Sequence, residues 1–208
     1  MKIIIYGSTG TIGRQLIWQA LELGHTVTAF TRYKHKLDDM AHPDLLVYES
    51  DVLNFQQVLH SIKGHDVVMV ALGAGRKGMV RSEGTRNIVK AMEMTGIKRL
   101  ICQTAIGSGE SKYNLNFYWR RILFGWLWKA AYLDHQLQER YIRESDLNWT
   151  IVRPGAFTNG KLTGRYKHGF APNDRNIRLK ISRPDVALFM LMQISSTAYI
   201  HKSPALSY

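Results

Sequence analysis

Short apolar runs alternate with longer amphipathic stretches along most of the chain. The runs are continuously apolar, which is typical of strands that are covered on both faces of a sheet. They predict strands at Lys2–Tyr6, Thr26–Phe30, Asp44–Tyr48, Asp66–Val70, Arg99–Cys102 and Asn148–Val152. The stretches between and after them predict helices at Thr11–Leu23, Asn54–Ile62, Val80–Thr95, Asp134–Ser145 and Asp185–Ile194. This alternation predicts an α/β fold with a doubly wound parallel sheet and right-handed crossovers.

The first predicted strand leads directly into a glycine-rich turn, Gly7-Ser8-Thr9-Gly10-Thr11-Ile12-Gly13. Gly7 permits the tight turn, Gly10 lets the backbone approach a phosphate, and Gly13 lets helix and strand pack closely. The following helix begins with N–H groups and a partial positive charge that favour an anion. The pattern therefore predicts a dinucleotide pyrophosphate site in a Rossmann-like fold. The alternative is a glycine-rich turn that binds nothing.

The end of the second predicted strand indicates which dinucleotide is bound. A site specific for NAD carries a carboxylate near this point for the ribose 2′-hydroxyl, whereas here Arg32 is followed by Lys34 and Lys36. A guanidinium can bind a 2′-phosphate in a two-pronged contact. Arg32 therefore favours NADP(H) over NAD(H), unless it is only a surface charge.

The residues that follow the third and fourth predicted strands also indicate cofactor contacts by their position in the fold. Asp51-Val52 follows the third strand, where an acid can accept from the adenine amino group while an apolar neighbour packs on the ring. Ala71-Leu72-Gly73 follows the fourth strand, where small residues let the backbone lie close to the cofactor. We therefore expect Asp51, Val52, Leu72 and Gly73 at the cofactor.

Length and composition restrict the class of protein. The chain has 208 residues and 45% hydrophobic content, which predicts one domain with a substantial core. Cys102 is the single cysteine, so an internal disulfide and a cysteine-rich metal site are excluded, and we expect no metal. No uncharged apolar run has the roughly 20 residues that span a bilayer, and no signal peptide is visible. We therefore expect a cytoplasmic protein.

The net charge of +12 predicts an anionic partner. The excess is uneven: seven Lys or Arg and one acid, Asp174, lie between Lys161 and Arg183. No nucleic-acid motif accompanies this cluster, so we favour a small anion over DNA or RNA.

The stretch Tyr113–Tyr132 breaks the strand–helix alternation. It is rich in Trp, Phe and Tyr, and its charges do not segregate to one helical face as they would on a membrane-surface helix. We interpret residues 111–133 as an aromatic lid over the site. Peripheral membrane contact, a dimer surface and plain packing are the alternatives, and we expect a monomer or weak dimer.

Several familiar catalytic patterns are missing from the chain. None of its ten tyrosines has a lysine four residues on, and neither a His-x-x-x-His pair nor a Gly-x-Ser-x-Gly turn occurs. A planar conjugated acceptor tolerates this absence, because it takes a hydride, spreads the charge and draws its proton from solvent. Thr104 is our candidate for a catalytic hydrogen bond near the reacting centre, the alternative being a strand-end threonine that bonds its own backbone.

Several motifs in register resemble the atypical short-chain dehydrogenase/reductases. These are the glycine turn, Asp51-Val52, Ser82–Val89 at a helix start and Arg153-Pro154-Gly155 after the sixth strand. Arg140–Ser145 and Leu162–Tyr166 are similar to the group that contains flavin reductase and biliverdin-IXβ reductase. The resemblance implies one Rossmann domain over residues 1–208, with a small substrate-side lobe near residues 155–183. It also implies NADP(H) as cofactor, FMN or FAD as substrate or bound ligand, and flavins or tetrapyrroles as planar anionic substrates. Quinone reductases at a membrane surface and NADP(H)-sensing proteins without turnover are the alternatives.

The resemblance also implies residue roles. The phosphate turn falls on Gly7, Thr9, Gly10, Thr11 and Ile12, the 2′-phosphate site on Arg32, and the adenine step on Asp51 and Val52. The nicotinamide side falls on Leu72, Gly73, Cys102, Gln103, Thr104, His135, Pro154 and Gly155, with Arg76 one residue out of register. His135 is either a nicotinamide contact or a first-turn helix residue, and Arg153 is interpreted as a buried ion-pair partner. Two departures stand out: Thr104 replaces a family serine, and Gly155 replaces a family histidine near the substrate.

Overall fold

The computed structural model describes residues 1–73, 79–107, 129–171, 174 and 176–208. Within these ranges the predicted α/β fold is confirmed. In chain order the elements are β1 (Lys2–Tyr6), α1 (Thr11–Glu22), β2 (Thr26–Thr31), a 3-10 helix (Lys34–Leu37), β3 (Leu45–Glu49), α2 (Phe55–Ile62), β4 (Val67–Val70), α3 (Val80–Thr95), β5 (Arg99–Gln103), α4 (Lys129–Arg143), β6 (Asn148–Pro154), β7 (Ala156–Thr158), β8 (Lys167–His168), β9 (Lys180–Ser182), α5 (Arg183–Met192) and β10 (Ala205–Ser207).

The central sheet has the strand order β3-β2-β1-β4-β5-β6-β10-β8. The first seven of these strands run parallel, and β8 is antiparallel to β10. The chain winds outwards from β1 to β3 and then crosses back to place β4 on the other side of β1. This change of direction leaves a crevice beyond the carboxyl ends of β1 and β4, where doubly wound sheets bind ligands.

Alternate residues of β1 supply the two halves of the core. Ile3 and Ile5 belong to the apolar cluster that includes residues of α1 and α5, whereas Ile4 and Tyr6 belong to the cluster that includes residues of α2, α3 and α4. All four side chains are fully buried. Burial of each isoleucine stabilises the fold by roughly 1.5–3 kcal/mol, which fixes the carboxyl end of β1 and the turn that follows it.

The last residues of the chain tie the described residues between 155 and 183, which we call the outer lobe, to the sheet. The Tyr208 hydroxyl donates to Asp185 Oδ2 at 2.5 Å, and the Tyr208 N–H donates to the carbonyl of Lys180 at 2.9 Å. The N–H groups of Thr163 and Gly164 also donate to Asp185 Oδ1, at 2.8 and 2.9 Å. Burial alone would raise the pKa of Asp185, but these hydrogen bonds outweigh it and the pKa is lowered.

The predicted strands and helices are present, with small shifts at their ends. The largest shift is in α4, which begins at Lys129 and not at the predicted Asp134. The short strands β7 to β10 were not predicted. Within the described residues, no helix combines the length and apolar character needed to span a membrane.

Candidate functional site

The glycine turn after β1 is closed by backbone contacts that exclude side chains. Gly7 has a φ of +84°, and a Cβ on it would lie 2.3 Å from the carbonyl oxygen of Ala71. A Cβ on Gly13 would lie 2.2 Å from the carbonyl oxygen of Gly7. Gly10 is less constrained, since its added Cβ would lie 3.2 Å from the same oxygen. Gly7 and Gly13 therefore let the turn lie directly against the end of β4 and the start of α1.

The N-terminus of α1 opens towards the crevice without a side-chain cap. Gly10 is its N-cap residue, no side chain accepts a hydrogen bond there, and the first turn contains no acid. The first N–H groups of a helix need partners from outside it, and its partial positive charge favours an anion. This helix start therefore suits a diphosphate.

Two cavities meet at this turn. A smaller one of about 180 Å³ lies over the ends of β1 and β2 and is lined by Gly7, Thr9, Phe30, Thr31, Arg32 and Val52, among others. A larger one of about 700 Å³ lies over the ends of β4, β5 and β6. Both are lined by Gly10, Leu72 and Gly73, so together they form a groove along the carboxyl edge of the sheet.

Arg32 lies at the outer end of this groove. Its side chain is exposed, and its guanidinium carbon is 5.5 Å from the ring centroid of Tyr33. The backbone beyond it is held by two hydrogen bonds, from Tyr33 N to Thr31 Oγ1 at 3.1 Å and from Lys34 N to Glu49 Oε1 at 2.8 Å. The local structure therefore presents a cation where β2 ends.

The larger cavity, which we call the inner cleft, has two walls. Its floor contains Gln103, Thr104 and Pro154 at the ends of β5 and β6. One wall is the first part of α4, through Ala131, Tyr132 and His135, and the other comes from the outer lobe, through Phe157, Leu179 and Arg183. The lining is largely apolar, which is typical of a site for an organic ligand.

Thr104 lines the inner cleft, but its hydroxyl is engaged on the protein side. It donates a hydrogen bond to Glu139 Oε1 at 2.9 Å. Arg153 binds the same carboxylate through Nε at 3.0 Å and Nη2 at 2.5 Å, and both charged side chains are buried. This confirms the interpretation of Arg153 as a buried ion-pair partner.

His135 also has a defined partner. Its Nδ1 lies 3.1 Å from Gln138 Oε1, and Gln138 Nε2 donates to Thr85 Oγ1 at 3.0 Å. This amide orientation assigns the ring proton to Nδ1, so Nε2 is left as an acceptor. Burial and then the positive charge of Arg81 lower the pKa of His135 to about 4. The ring is therefore neutral near pH 7.

Arg81 lies in the first turn of α3 and lines the inner cleft. Its Nη1 lies 3.3 Å from Asp134 Oδ2, and Asp134 Oδ1 accepts from the N–H of Ser82 at 2.9 Å. Asp134, which lies on α4, thus caps the N-terminus of α3. Burial would raise the pKa of Asp134, but hydrogen bonds from Ser82 and the charge of Arg81 lower it.

The profile of a protein family described as NAD(P)H-binding matches residues 7–197 of the chain. This chain belongs to that NAD(P)H-binding family. An uncharacterized chloroplastic protein of Arabidopsis thaliana, At2g34460, is 30% identical over 212 residues, which cover 94% of this chain and 74% of that protein.

Two solved structures have the same fold as this NAD(P)H-binding chain. The anaerobilin reductase ChuY from Escherichia coli O157:H7 superposes with a TM-score of 0.84 at 21% identity, covering 100% of this chain and 97% of that one. A short-chain dehydrogenase/reductase from Veillonella parvula, solved in complex with NADP, gives a TM-score of 0.80 at 20% identity, covering 100% and 94%. These neighbours confirm the predicted fold, and the family match confirms an NAD(P)H-binding protein.

The residues of this NAD(P)H-binding protein fit a dinucleotide. The cradle at Gly7 and Gly13 leaves no space for side chains, and the uncapped start of α1 supplies N–H groups. Most sequence-predicted residues line the continuous groove: Gly7, Thr9, Gly10, Thr11, Ile12, Arg32, Val52, Leu72, Gly73, Gln103, Thr104, His135, Pro154 and Gly155. Their individual roles towards the cofactor stay predictions.

Two predicted contacts lie apart from this lining. Cys102 is fully buried in the core, and its sulfur accepts from Gln138 Nε2 at 3.3 Å; burial, and then the charge of Glu139, raise its pKa. The side chain of Cys102 therefore lies beneath the floor of the inner cleft. Asp51 is half-buried, and its Oδ1 accepts from the N–H of Leu53 at 2.9 Å, within its own turn.

Two other predictions concern residues that the structure does not describe. Arg76 lies outside the described residues, as does the lid segment up to residue 128. The remaining part of the lid segment, residues 129–133, is the start of α4, and Ala131 and Tyr132 line the inner cleft there.

The structure explains the departure at Gly155. A Cβ at this position would lie 2.6 Å from the carbonyl carbon and oxygen of Leu179. The backbone that leads into β9 thus occupies the space that a side chain at residue 155 would need. The larger residue of the family cannot be accommodated without moving this strand.

The sequence pattern did not indicate four residues of the site: Arg81, Asp134, Glu139 and Arg183. Asp134 and Glu139 are separated by 53 and 35 residues from the groups that they bind, Arg81 and Thr104. No local spacing in the sequence signals such a pairing. One signal was available: both acids lie on the buried face of α4, the helix that also carries His135. Glu139 follows His135 by four residues, so the two side chains are neighbours on the helix surface.

Proposed function

We propose that this protein is an NADPH-dependent reductase of a planar conjugated acceptor, either a flavin or a linear tetrapyrrole. The observation that carries the proposal is the continuity of the groove: the cradle of the dinucleotide and the inner cleft share Gly10, Leu72 and Gly73. A cofactor with its diphosphate on α1 then has its nicotinamide end next to a largely apolar space of about 700 Å³. That space is large enough for an aromatic ring system.

Arg32 supports NADPH over NADH. Its exposed guanidinium lines the smaller cavity at the end of β2, where an NAD site would carry a carboxylate. The Veillonella parvula neighbour was solved with NADP, which is consistent with this choice.

The polar groups of the inner cleft support an acceptor that needs no acid from the protein. Thr104 directs its proton to Glu139, and His135 is neutral with its proton on Nδ1. These two side chains can accept hydrogen bonds from a ligand but cannot protonate it near pH 7. NADPH, when bound, supplies a hydride; flavins and tetrapyrroles can then take their proton from solvent.

The roles that we assign to the chain are therefore binding and orientation. Leu72, Gly73 and Pro154 hold the nicotinamide side of the cofactor, while Tyr132 and Phe157 pack against the acceptor from the two walls. ChuY, whose name describes an anaerobilin reductase, has the same fold and favours the tetrapyrrole arm of the proposal.

The test is to follow NADPH absorbance with FMN, riboflavin, biliverdin and a short-chain quinone as separate acceptors. We expect turnover with a flavin or with biliverdin, and faster turnover with NADPH than with NADH. Tight NADP⁺ binding without turnover of any acceptor would contradict the proposal and indicate an NADP(H)-sensing protein. Turnover of quinone alone, together with co-sedimentation with vesicles, would indicate the membrane-surface quinone reductase instead.

A further inference from the structure

The arginines that line the inner cleft or lie beneath its floor differ in how their charges are compensated. Arg81 is paired with Asp134 at 3.3 Å, and Arg153 is paired with Glu139 at 2.5 Å. In both pairs the carboxylate is almost completely buried, so each pair is close to neutral towards the cleft. Neither arginine therefore offers a full positive charge to a ligand.

Arg183 is not compensated in this way. It lines the inner cleft at the start of α5 and is half-buried. Its Nη1 donates to the neutral amide oxygen of Asn159 at 2.6 Å, and its guanidinium carbon lies 5.4 Å from the ring centroid of Phe157. Among the described residues, no carboxylate pairs with Arg183, and its buried Nε has no hydrogen-bond partner.

A partly buried guanidinium without a counter-ion is costly unless a ligand supplies the anion. Asn159 and Phe157 hold the group from one side each, which orients it before any ligand binds. Within the described part of the chain, Nη2 makes no hydrogen bond to the protein. An oxygen of a carboxylate or phosphate can therefore bind there without displacing a protein partner.

We propose that Arg183 binds an acidic group of the acceptor, so that the inner cleft selects acceptors carrying a carboxylate or a phosphate. This inference rests on the proposed function and deepens it. The position of Arg183 beside Phe157 and Leu179 places the charge on the outer-lobe wall, whereas the cofactor cradle lies at Gly7 and Gly10. Arg183 thus recognises the acceptor and not the dinucleotide.

FMN and riboflavin provide a matched pair of ligands, because they share the ring system and differ in the terminal phosphate. Biliverdin and its dimethyl ester form a second pair that differs in the carboxylates. For the wild-type protein we expect the acidic member of each pair to have a KM at least tenfold lower. Arg183→Gln should raise the KM for the acidic member about 10- to 100-fold and leave the neutral member and NADPH within twofold.

Two control substitutions separate the effect of the charge on Arg183 from that of positive charge elsewhere in the outer lobe. Arg178 is exposed and does not line the cleft, so Arg178→Gln should keep the wild-type preference. Arg183→Lys retains the charge but loses the planar fork, and it should restore part of the preference. A binding measurement by flavin fluorescence, with NADP⁺ present, gives the same comparison without turnover.

The outcomes distinguish this inference from the proposed function. If acidic and neutral acceptors are reduced alike and Arg183→Gln changes neither, the inference is wrong while the reductase function stands. If Arg183→Gln raises the KM for NADPH instead, Arg183 serves the cofactor and the inference is again wrong. If no acceptor is reduced but FMN binds in a manner that depends on Arg183, the inference stands and the reductase function fails.

Discussion

The hydroxyl of Thr104, at the end of β5, donates a hydrogen bond to Glu139 on α4 at 2.9 Å. Because Glu139 is also bound by Arg153 on β6, one carboxylate joins three elements below the floor of the inner cleft. The hydroxyl proton of Thr104 therefore points into the protein framework.

This geometry gives an expectation for Thr104→Val. Loss of the hydroxyl leaves a buried carboxylate with one donor fewer, so the free energy of unfolding should fall by about 1–3 kcal/mol. The kcat for acceptor reduction should change by only a few-fold, and Thr104→Ser should restore stability. Thermal unfolding and kcat measured on the same preparations test this. A large loss of kcat at unchanged stability would show that Thr104 acts directly on the reacting groups.

Arg32→Asp tests the choice of dinucleotide. A charge-assisted contact to the 2′-phosphate is worth about 1.5–3 kcal/mol, so the Kd for NADP⁺ should rise about 10- to 100-fold. The Kd for NAD⁺ should change much less, because NAD⁺ carries no phosphate at that position. Titration calorimetry measures both constants. Lys63→Asp, at an exposed lysine after α2, is the matched charge control, and equal weakening of both dinucleotides by Arg32→Asp would contradict the assignment.

Gly13→Ala and Gly10→Ala should have different consequences. The methyl group on residue 13 meets the Gly7 carbonyl oxygen at 2.2 Å, so the turn or α1 must move, and overpacking of this kind costs roughly 1–3 kcal/mol. At residue 10 the nearest contact is 3.2 Å, which requires a shift of only a few tenths of an ångström, and the backbone φ is −73°, so Gly10→Ala should destabilise the fold less than Gly13→Ala. Chemical denaturation compares the two variants. Equal destabilisation by the two substitutions would contradict the closer backbone contact at Gly13.

His135 should contribute a pH dependence to stability. Its pKa is lowered to about 4 in the folded protein, against an ordinary value of 6.5, so the unfolded chain binds more protons between these values. The stability contribution is therefore complete above pH 6.5 and is lost as the pH falls towards 4. Arg81, Asp134 and Glu139 face the same region and are unchanged in the variant.

The measurement is the midpoint of thermal unfolding as a function of pH. In His135→Asn the amide can replace Nδ1 towards Gln138 without titrating, so the fall in Tm between pH 6.5 and 4 should be smaller than in wild type. An identical pH profile for the two proteins would mean that other groups produce the whole dependence.

The sequence predicted the sheet from β1 to β6 because these strands are apolar runs. In all of them except the edge strand β3, that pattern reflects burial on both faces of the sheet. The glycine turn was predictable for a related reason. The backbone contacts at Gly7 and Gly13 tolerate no side chain, so glycine is required at both positions and its spacing in the sequence indicates the turn. Such features are local in the chain, and a local pattern is sufficient to find them.

The outer wall of the cleft was predictable only in part. The strands β7 to β10 contain two or three residues each, which is too short for a periodic pattern. The pairs Arg81–Asp134 and Thr104–Glu139 join residues that are distant in sequence, and the role of Gly155 depends on the backbone of Leu179. These relations arise only when the elements pack, so no spacing along the chain signals them.

The order of the elements along the chain has a consequence for synthesis. The cradle at Gly7 to Gly13 and its neighbouring strands come from the first half of the chain, whereas Phe157 and Arg183 rest on a lobe that Tyr208 fastens through Asp185. During translation, the residues of the glycine cradle therefore leave the ribosome well before those of the outer-lobe wall. The two parts of the groove therefore become available for folding at different times.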